Sequence, residues 1–179
     1  VSWYKGHGLA VLARGLMQPF DTELKPRIYG KDFRLVAPLG QGGMGTVYVA
    51  EQLSPGLRRA LKLMQPHLLR NARQRERFMQ EARIGSRIHS DHVVQVIGAG
   101  ITDDTEEPWL AMELLEGEDL GAALRRQGPW RFEEMLTLFS ELCHALAAAH
   151  RVAIVHRDLK PANIFLAQSR LVGRSTTVK

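Results

Sequence analysis

From Phe33 onward the apolar residues of this chain fall into short periodic runs whose period changes along its length. Phe33, Leu35 and Ala37 alternate with polar residues ahead of a glycine cluster, and Val47 and Val49 resume the alternation within Thr46 to Glu51. Successive side chains of a strand point to opposite faces, so the pattern predicts two strands joined by a glycine-rich turn. Arg59 to Met64 predicts a third strand, ending at Pro66. Between Leu69 and Ile88, Phe78, Ala82, Ile84 and Ile88 recur near helical spacing while six arginines fill the other faces, which predicts an amphipathic helix. Val93 to Ile97 and Trp109 to Leu114 predict buried strands, separated by the acidic turn Asp103, Asp104, Glu106, Glu107. The clearest helical period follows Pro129, through Met135, Leu138, Phe139, Leu142, Ala145, Leu146 and Ala149. Strands with one helix, then mostly helix, then short strands after His156 make an α+β arrangement. Residues 1–32 mix Gly, Pro, Lys and isolated aromatics without a sustained period and are expected to be an N-terminal extension or linker.

Composition narrows this picture. Hydrophobic residues are 45% and charged residues 24% of the 179, a balance that supports a packed core and excludes a disordered or low-complexity chain. The single cysteine, Cys143, excludes an internal disulfide or a cysteine zinc cage and suits a reducing compartment. Its place beside Leu142 on the predicted helix suggests a small core residue. A net charge of +5 permits an anionic partner without choosing one. The arginines from Arg70 to Arg87 lack aromatic interleaving or a recognition motif, so a solvated helix face, and no nucleic acid, is expected. The apolar stretch Leu9 to Leu12 is far below the roughly 20 residues that span a bilayer, and no export signal is read. Position 1 is Val and no Met precedes Met17, so the upstream edge is expected to be cut or misassigned.

Three constellations carry chemistry. Leu39-Gly40-Gln41-Gly42-Gly43-Met44-Gly45-Thr46-Val47 is a G-x-G-x-x-G-x-V pattern between two predicted strands. Glycines there let backbone N–H groups approach phosphate oxygens, although a hairpin that merely needs positive φ would select glycine equally. A strand after the glycines excludes the dinucleotide-binding fingerprint, which requires a helix. Lys62, inside the apolar Ala60-Leu61-Lys62, needs an anionic partner if buried, either a ligand phosphate or a carboxylate, and Glu81, between Phe78 and Ala82, is the candidate carboxylate. The bland reading is a solvent-facing lysine at a strand edge. In His156-Arg157-Asp158-Leu159-Lys160-Pro161-Ala162-Asn163, an aspartate can accept a hydroxyl proton, a lysine can neutralise a transferring phosphoryl group and an asparagine can bind Mg²⁺.

In these three motifs, and in their order, the chain resembles a Hanks-type (eukaryotic-like) bacterial serine/threonine protein kinase from about Phe33 to Lys179. The resemblance implies a protein-kinase-like fold, with a β-rich first lobe over residues 33–112 and a hinge with a partial, mainly helical second lobe over 113–179. It implies that Gly40, Gln41, Gly42, Gly43, Met44, Gly45 and Thr46 form the loop over the ATP phosphates, and that Lys62, paired with Glu81, holds the α- and β-phosphates. Asp158 would orient or deprotonate a substrate hydroxyl, Lys160 would contact the γ-phosphate and Asn163 would bind Mg²⁺. Met112 would be the gatekeeper, the backbones of Glu113 and Leu115 would meet adenine, and Leu39, Val47, Ala60 and Phe165 would sandwich the base. Glu116 to Leu120 looks like the exit from the hinge. Lys160 two residues after Asp158 resembles the Ser/Thr-specific version of the loop, so protein substrates bearing Ser or Thr and a cytoplasmic kinase domain are expected, with membrane attachment not visible in this chain.

Some positions depart from that pattern. Thr176-Thr177-Val178-Lys179 resembles the entry to the strand that carries the family's Asp-Phe-Gly, and the sequence ends there. The expectation is a kinase domain recorded in part, with no autophosphorylation by residues 1–179 alone and exposed apolar surface on the helix from Met135 to Ala149. The alternative is a nucleotide-binding or scaffolding module without phosphotransfer. Gly85, four residues after Glu81, stands where the family usually places an apolar residue, which predicts a lost packing contact and a loosely held helix. Ser90-Asp91 replaces the usual Pro-Asn, and His89, His92, His144 and His150 are expected to pack or face solvent.

Overall fold

The computed structural model describes residues 27–168 and 176–179. Strands Ile28–Tyr29 (β1), Phe33–Gln41 (β2), Gly45–Gln52 (β3), Leu57–Met64 (β4), Val96–Ile101 (β5) and Pro108–Glu113 (β6) form one antiparallel sheet in the order β1-β2-β3-β4-β6-β5. Both faces of β4 are buried from Ala60 to Met64, Lys62 included. Ala60 and Met64 join Val47, Phe78, Ala82, Leu110 and Met112 on one side, while Leu61 and Leu63 join Tyr29, Phe33, Trp109 and Ala111 on the other. Helix α1 (Ala72–Gly85) lies on the first of these faces, started by the Asn71 side chain, which accepts from the Gln74 N–H at 3.2 Å.

The second half is built on a small sheet, Gly117–Asp119 (β7), Phe165–Gln168 (β8) and Thr176–Val178 (β9), with helices Leu120–Gln127 (α2) and Phe132–Arg151 (α3). Leu120, Ala123, Leu138, Leu142, Ile164, Leu166 and Val178 form its core. Ile84 and Ile88, at and just after the end of α1, pack with Ala148, Ala149 and Ile154 at the end of α3. That cluster ties the two halves together.

The structure differs from the sequence expectations in several places. The sheet begins before Phe33: Tyr29 is buried, and its hydroxyl donates to Glu107 at 3.1 Å. Residues 27–32 therefore belong to it, while 1–26, including Leu9 to Leu12, lie outside the described residues. The strand expected over Val93 to Ile97 runs instead from Val96 to Ile101, because Val93 donates to the Ser90 carbonyl in a turn and the strand continues through small Gly98, Ala99 and Gly100. Helix α2 is not marked by the apolar period of its residues, although Asp119 accepts from the Ala122 N–H at 2.9 Å and Gly128 ends the helix at φ 73°, both of them signals visible as residue types.

Cys143 is exposed, not a core residue. The buried stripe of α3 runs through Leu138, Glu141, Leu142, Ala148 and Ala149, and one residue past Leu142 the helix has turned about 100° away. Gly85 is buried and leaves no lost contact, since a Cβ there would lie 2.6 Å from Val96 Cγ2. Val96 fills the space, and the missing side chain is what lets α1 sit close to β5.

Candidate functional site

Lys62 projects from β4 towards α1, in register with Val47 on one side and Leu110 on the other. Its side chain is 2% exposed, and its Nζ donates to Glu81 Oε1 at 2.7 Å and Oε2 at 2.8 Å. The pair answers the choice left open by the sequence: the lysine is buried and the carboxylate on α1 is its partner. Burying an ammonium alone would be prohibitive, so the strand and the helix are held to one spacing by this contact. The Phe78 ring, 5.5 Å from Nζ, adds a further favourable contact.

Next to the lysine, Gln41 to Thr46 turns from β2 into β3, closed by the Gly42 N–H donating to the Gly45 carbonyl at 2.8 Å. The glycines are not equivalent. A Cβ on Gly45 would overlap the Leu63 carbonyl oxygen, so glycine there permits the loop to lie against β4, whereas a Cβ on Gly43 would meet nothing within 4 Å. Leu39 packs against the cluster that holds Val47, Ala60, Met112, Leu115 and Phe165, so the four apolar residues expected to sandwich the base and the gatekeeper candidate come together in one place.

Across the cleft, the segment His156 to Asn163 is loop ending in a short 3₁₀ turn, Pro161–Asn163. Asn163 Nδ2 donates to the Asp158 carbonyl at 2.7 Å and to Asp158 Oδ2 at 3.1 Å, and Lys160 Nζ lies 3.1 Å from the same Oδ2. The Lys160 ammonium, with help from Asn163, holds the Asp158 carboxyl below the ordinary carboxylate range against a smaller opposing effect of desolvation. Asp158 is therefore ionised at neutral pH and can accept a proton. Burial pushes His156 below its usual value, partly countered by Asp158. Arg157 adopts φ 62°, a left-handed conformation unusual for arginine, which marks the loop as locally strained. With its amide nitrogen spent on Asp158, Asn163 presents Oδ1, a buried oxygen that no donor meets among the described residues.

Glu81 and Asn163 line one cavity of about 100 Å³ whose wall is mostly apolar, with Val96, Leu110, Leu142, Ala149 and Phe165 among its residues; Lys62, Asp158 and the glycine loop lie outside that wall. Residues 81 and 163 come from opposite halves of the fold. The model of the protein kinase domain family matches residues 33–173. This chain belongs to that family. Among curated relatives, the kinase domain is 42% identical over 137 residues to the serine/threonine-protein kinase pkn2 of Myxococcus xanthus, a match covering 76% of this chain and 16% of the relative. It is 38% identical over 136 residues to the serine/threonine-protein kinase PknH of Mycobacterium bovis, covering 76% of this chain and 22% of that protein. The chain thus spans less than a quarter of the length of these relatives. The crystal structure of the Mycobacterium tuberculosis PknI kinase domain superposes with a TM-score of 0.69 at 25% identity, covering 87% of this chain and 61% of that one. The fold is protein-kinase-like, a β-rich lobe followed by a mainly helical one.

Between the lobes of the kinase domain, residues 114–116 leave β6 without regular structure, and the backbone of Leu115 makes no hydrogen bond among the described residues. Sequence reasoning assigned Glu113 a backbone role only. Its side chain is also engaged, since Oε1 accepts from the Gln95 N–H at 2.9 Å and from Lys179 Nζ at 2.6 Å, tying β6 to the residue before β5 and the residue after β9. Glu141 was missed as well. It is buried on α3, and its Oε2 accepts from the Val178 N–H at 2.7 Å, while His92 Nδ1 lies 3.1 Å from the Val178 carbonyl. An acidic residue inside an otherwise apolar helical stripe is the signal that could have found it.

Proposed function

We propose that this kinase domain binds ATP with Mg²⁺ and transfers the γ-phosphoryl group to serine or threonine hydroxyls of protein substrates. One observation carries the reading: buried Lys62 is held by the Glu81 carboxylate in the first lobe, and Asp158 is held by Asn163 and Lys160 in the loop of the second. Lys62, held by Glu81, supplies positive charge to the α- and β-phosphates, and the free backbone of Leu115 suits the edge of adenine beside Met112. Asp158, ionised and aimed by Asn163, accepts the proton of the attacking hydroxyl, and Lys160 neutralises charge on the transferring group. The buried Asn163 Oδ1 fits a hard cation, which takes oxygen ligands. Bound Mg²⁺ supplies neutralisation of the charge that develops between the phosphates. The reading assigns the domain to the cytoplasm, where ATP is available and a lone free cysteine needs no partner; among the described residues no helix is long and apolar enough to cross a membrane.

Calorimetric titration with Mg-ATP tests the proposal. The chain should bind, Lys62→Met should weaken binding by about tenfold or more, as expected when a charge-assisted contact worth about 1.5–3 kcal/mol is removed, and Asp158→Asn should leave affinity within about twofold because the base is not needed for binding. Any phosphate incorporation into protein serine or threonine has to vanish in Asp158→Asn. No nucleotide binding by the chain, or incorporation that persists in that variant, would sink the reading.

A further inference from the structure

The glycine loop is held from outside its own hairpin by one side chain. Gln65, directly after β4, donates its Nε2 to the Gly42 carbonyl at 2.7 Å, and its backbone N–H donates to the Met44 carbonyl at 3.2 Å. A carbonyl only accepts, so the NH₂ end of the Gln65 amide must face it. The Gly42 carbonyl and the Gly43 N–H belong to one peptide group, which is planar and trans. Fixing the carbonyl towards Gln65 therefore turns the Gly43 N–H to the opposite side. That N–H has no partner among the described residues, and the space about Gly43 is open, with nothing within 4 Å of where a Cβ would stand. Without Gln65, a peptide between two glycines would rotate freely, since glycine tolerates most φ/ψ combinations.

We infer that Gln65 is a positioning residue for the nucleotide phosphates: by anchoring the Gly42 carbonyl it presents the Gly43 N–H, already ordered, to a phosphate oxygen. The inference rests on the ATP reading above and adds to it a residue outside the glycine motif. A preordered donor spares the ligand the cost of ordering the loop, so its loss is felt by ligands that carry phosphates and not by those that lack them.

The test compares ATP with adenosine on the full chain, in the wild type, Gln65→Leu and Gln65→Glu. Leucine keeps the bulk and removes the donor; glutamate keeps the length and sets a carboxylate against the carbonyl. The expected result is a dissociation constant for ATP raised about 2- to 12-fold in Gln65→Leu, corresponding to one neutral hydrogen bond of about 0.5–1.5 kcal/mol, and by at least as much in Gln65→Glu. Adenosine affinity should be unchanged in both, which also reports that the adenine site is folded. Unchanged ATP affinity in both variants overturns the inference, as does an equal loss for ATP and adenosine, which would mean a general structural role. A wild type that binds neither ligand overturns the ATP reading itself, while a wild type that binds adenosine as tightly as ATP overturns only the claim about phosphates.

Discussion

Magnitudes at the scale of single residues separate two ion pairs that involve glutamates of the same helix. Glu81 and Lys62 are 12% and 2% exposed, whereas Glu76 and Arg83 are 67% and 68% exposed. Removing Glu81 strands an ammonium in the core, and Glu81→Ala is expected to destabilise the domain by about 3–5 kcal/mol. Glu76→Ala, whose partner stays in water, should cost less than about 1 kcal/mol. Urea unfolding of both variants measures the contrast, and similar losses would show that the Lys62 contact contributes no more than a surface pair. The sequence named Lys62 and Glu81 as partners because a lysine in an apolar strand needs an anion. It gave no hint that Gln65, a polar residue in a short connection, reaches back to Gly42, since that contact depends on how far the loop leans over β4.

At the scale of elements, the packing of α1 on β5 turns on Gly85. An alanine there meets Val96 Cγ2 at 2.6 Å, and valine is stiff at χ1, so the helix has to move or the strand to shift. Gly85→Ala is expected to lose about 1–3 kcal/mol despite the better helix propensity of alanine. Val96→Ala should recover much of that loss in the double variant, because the two residues compete for one space. Thermal unfolding of the two single variants and the double one decides it; a stabilising Gly85→Ala would mean that the expected loose helix was the correct description. From sequence the glycine looked like a deficit in α1. The residue that makes it a fit lies eleven positions away on another element, and one-dimensional periodicity does not reach across that gap.

For the molecule as a whole, α3 presents Phe132, Leu136 and Phe139 at 73%, 55% and 51% exposure. Their spacing of four and three residues puts them on one face, where the exposed Cys143 follows. The expected exposed surface on this helix is therefore found, and Phe139, counted from its period as a core residue, faces outward with it. Apolar surface of that extent favours association, so light scattering on the 179-residue chain should show mass rising with concentration. Phe132→Lys with Phe139→Lys should return it towards the monomer mass. A wild-type chain that stays monomeric at high concentration would refute the expectation.

Local chemistry was legible in the residues themselves. The period of two before and after the glycines, the helical period of α1 and α3, and the run from His156 to Asn163 each lie within a short window, where backbone geometry alone dictates which residue types serve. Even α2 carried such signals in Asp119 and Gly128. What the tertiary structure decided was every relation between windows: Tyr29 added to the sheet, Val96 filling the space at Gly85, Glu141 capping β9, Glu113 joining Gln95 to Lys179, and Gln65 holding the glycine loop. These are contacts between residues far apart in the chain, set by the distances at which strands and helices pack, and no spacing along the sequence encodes those distances.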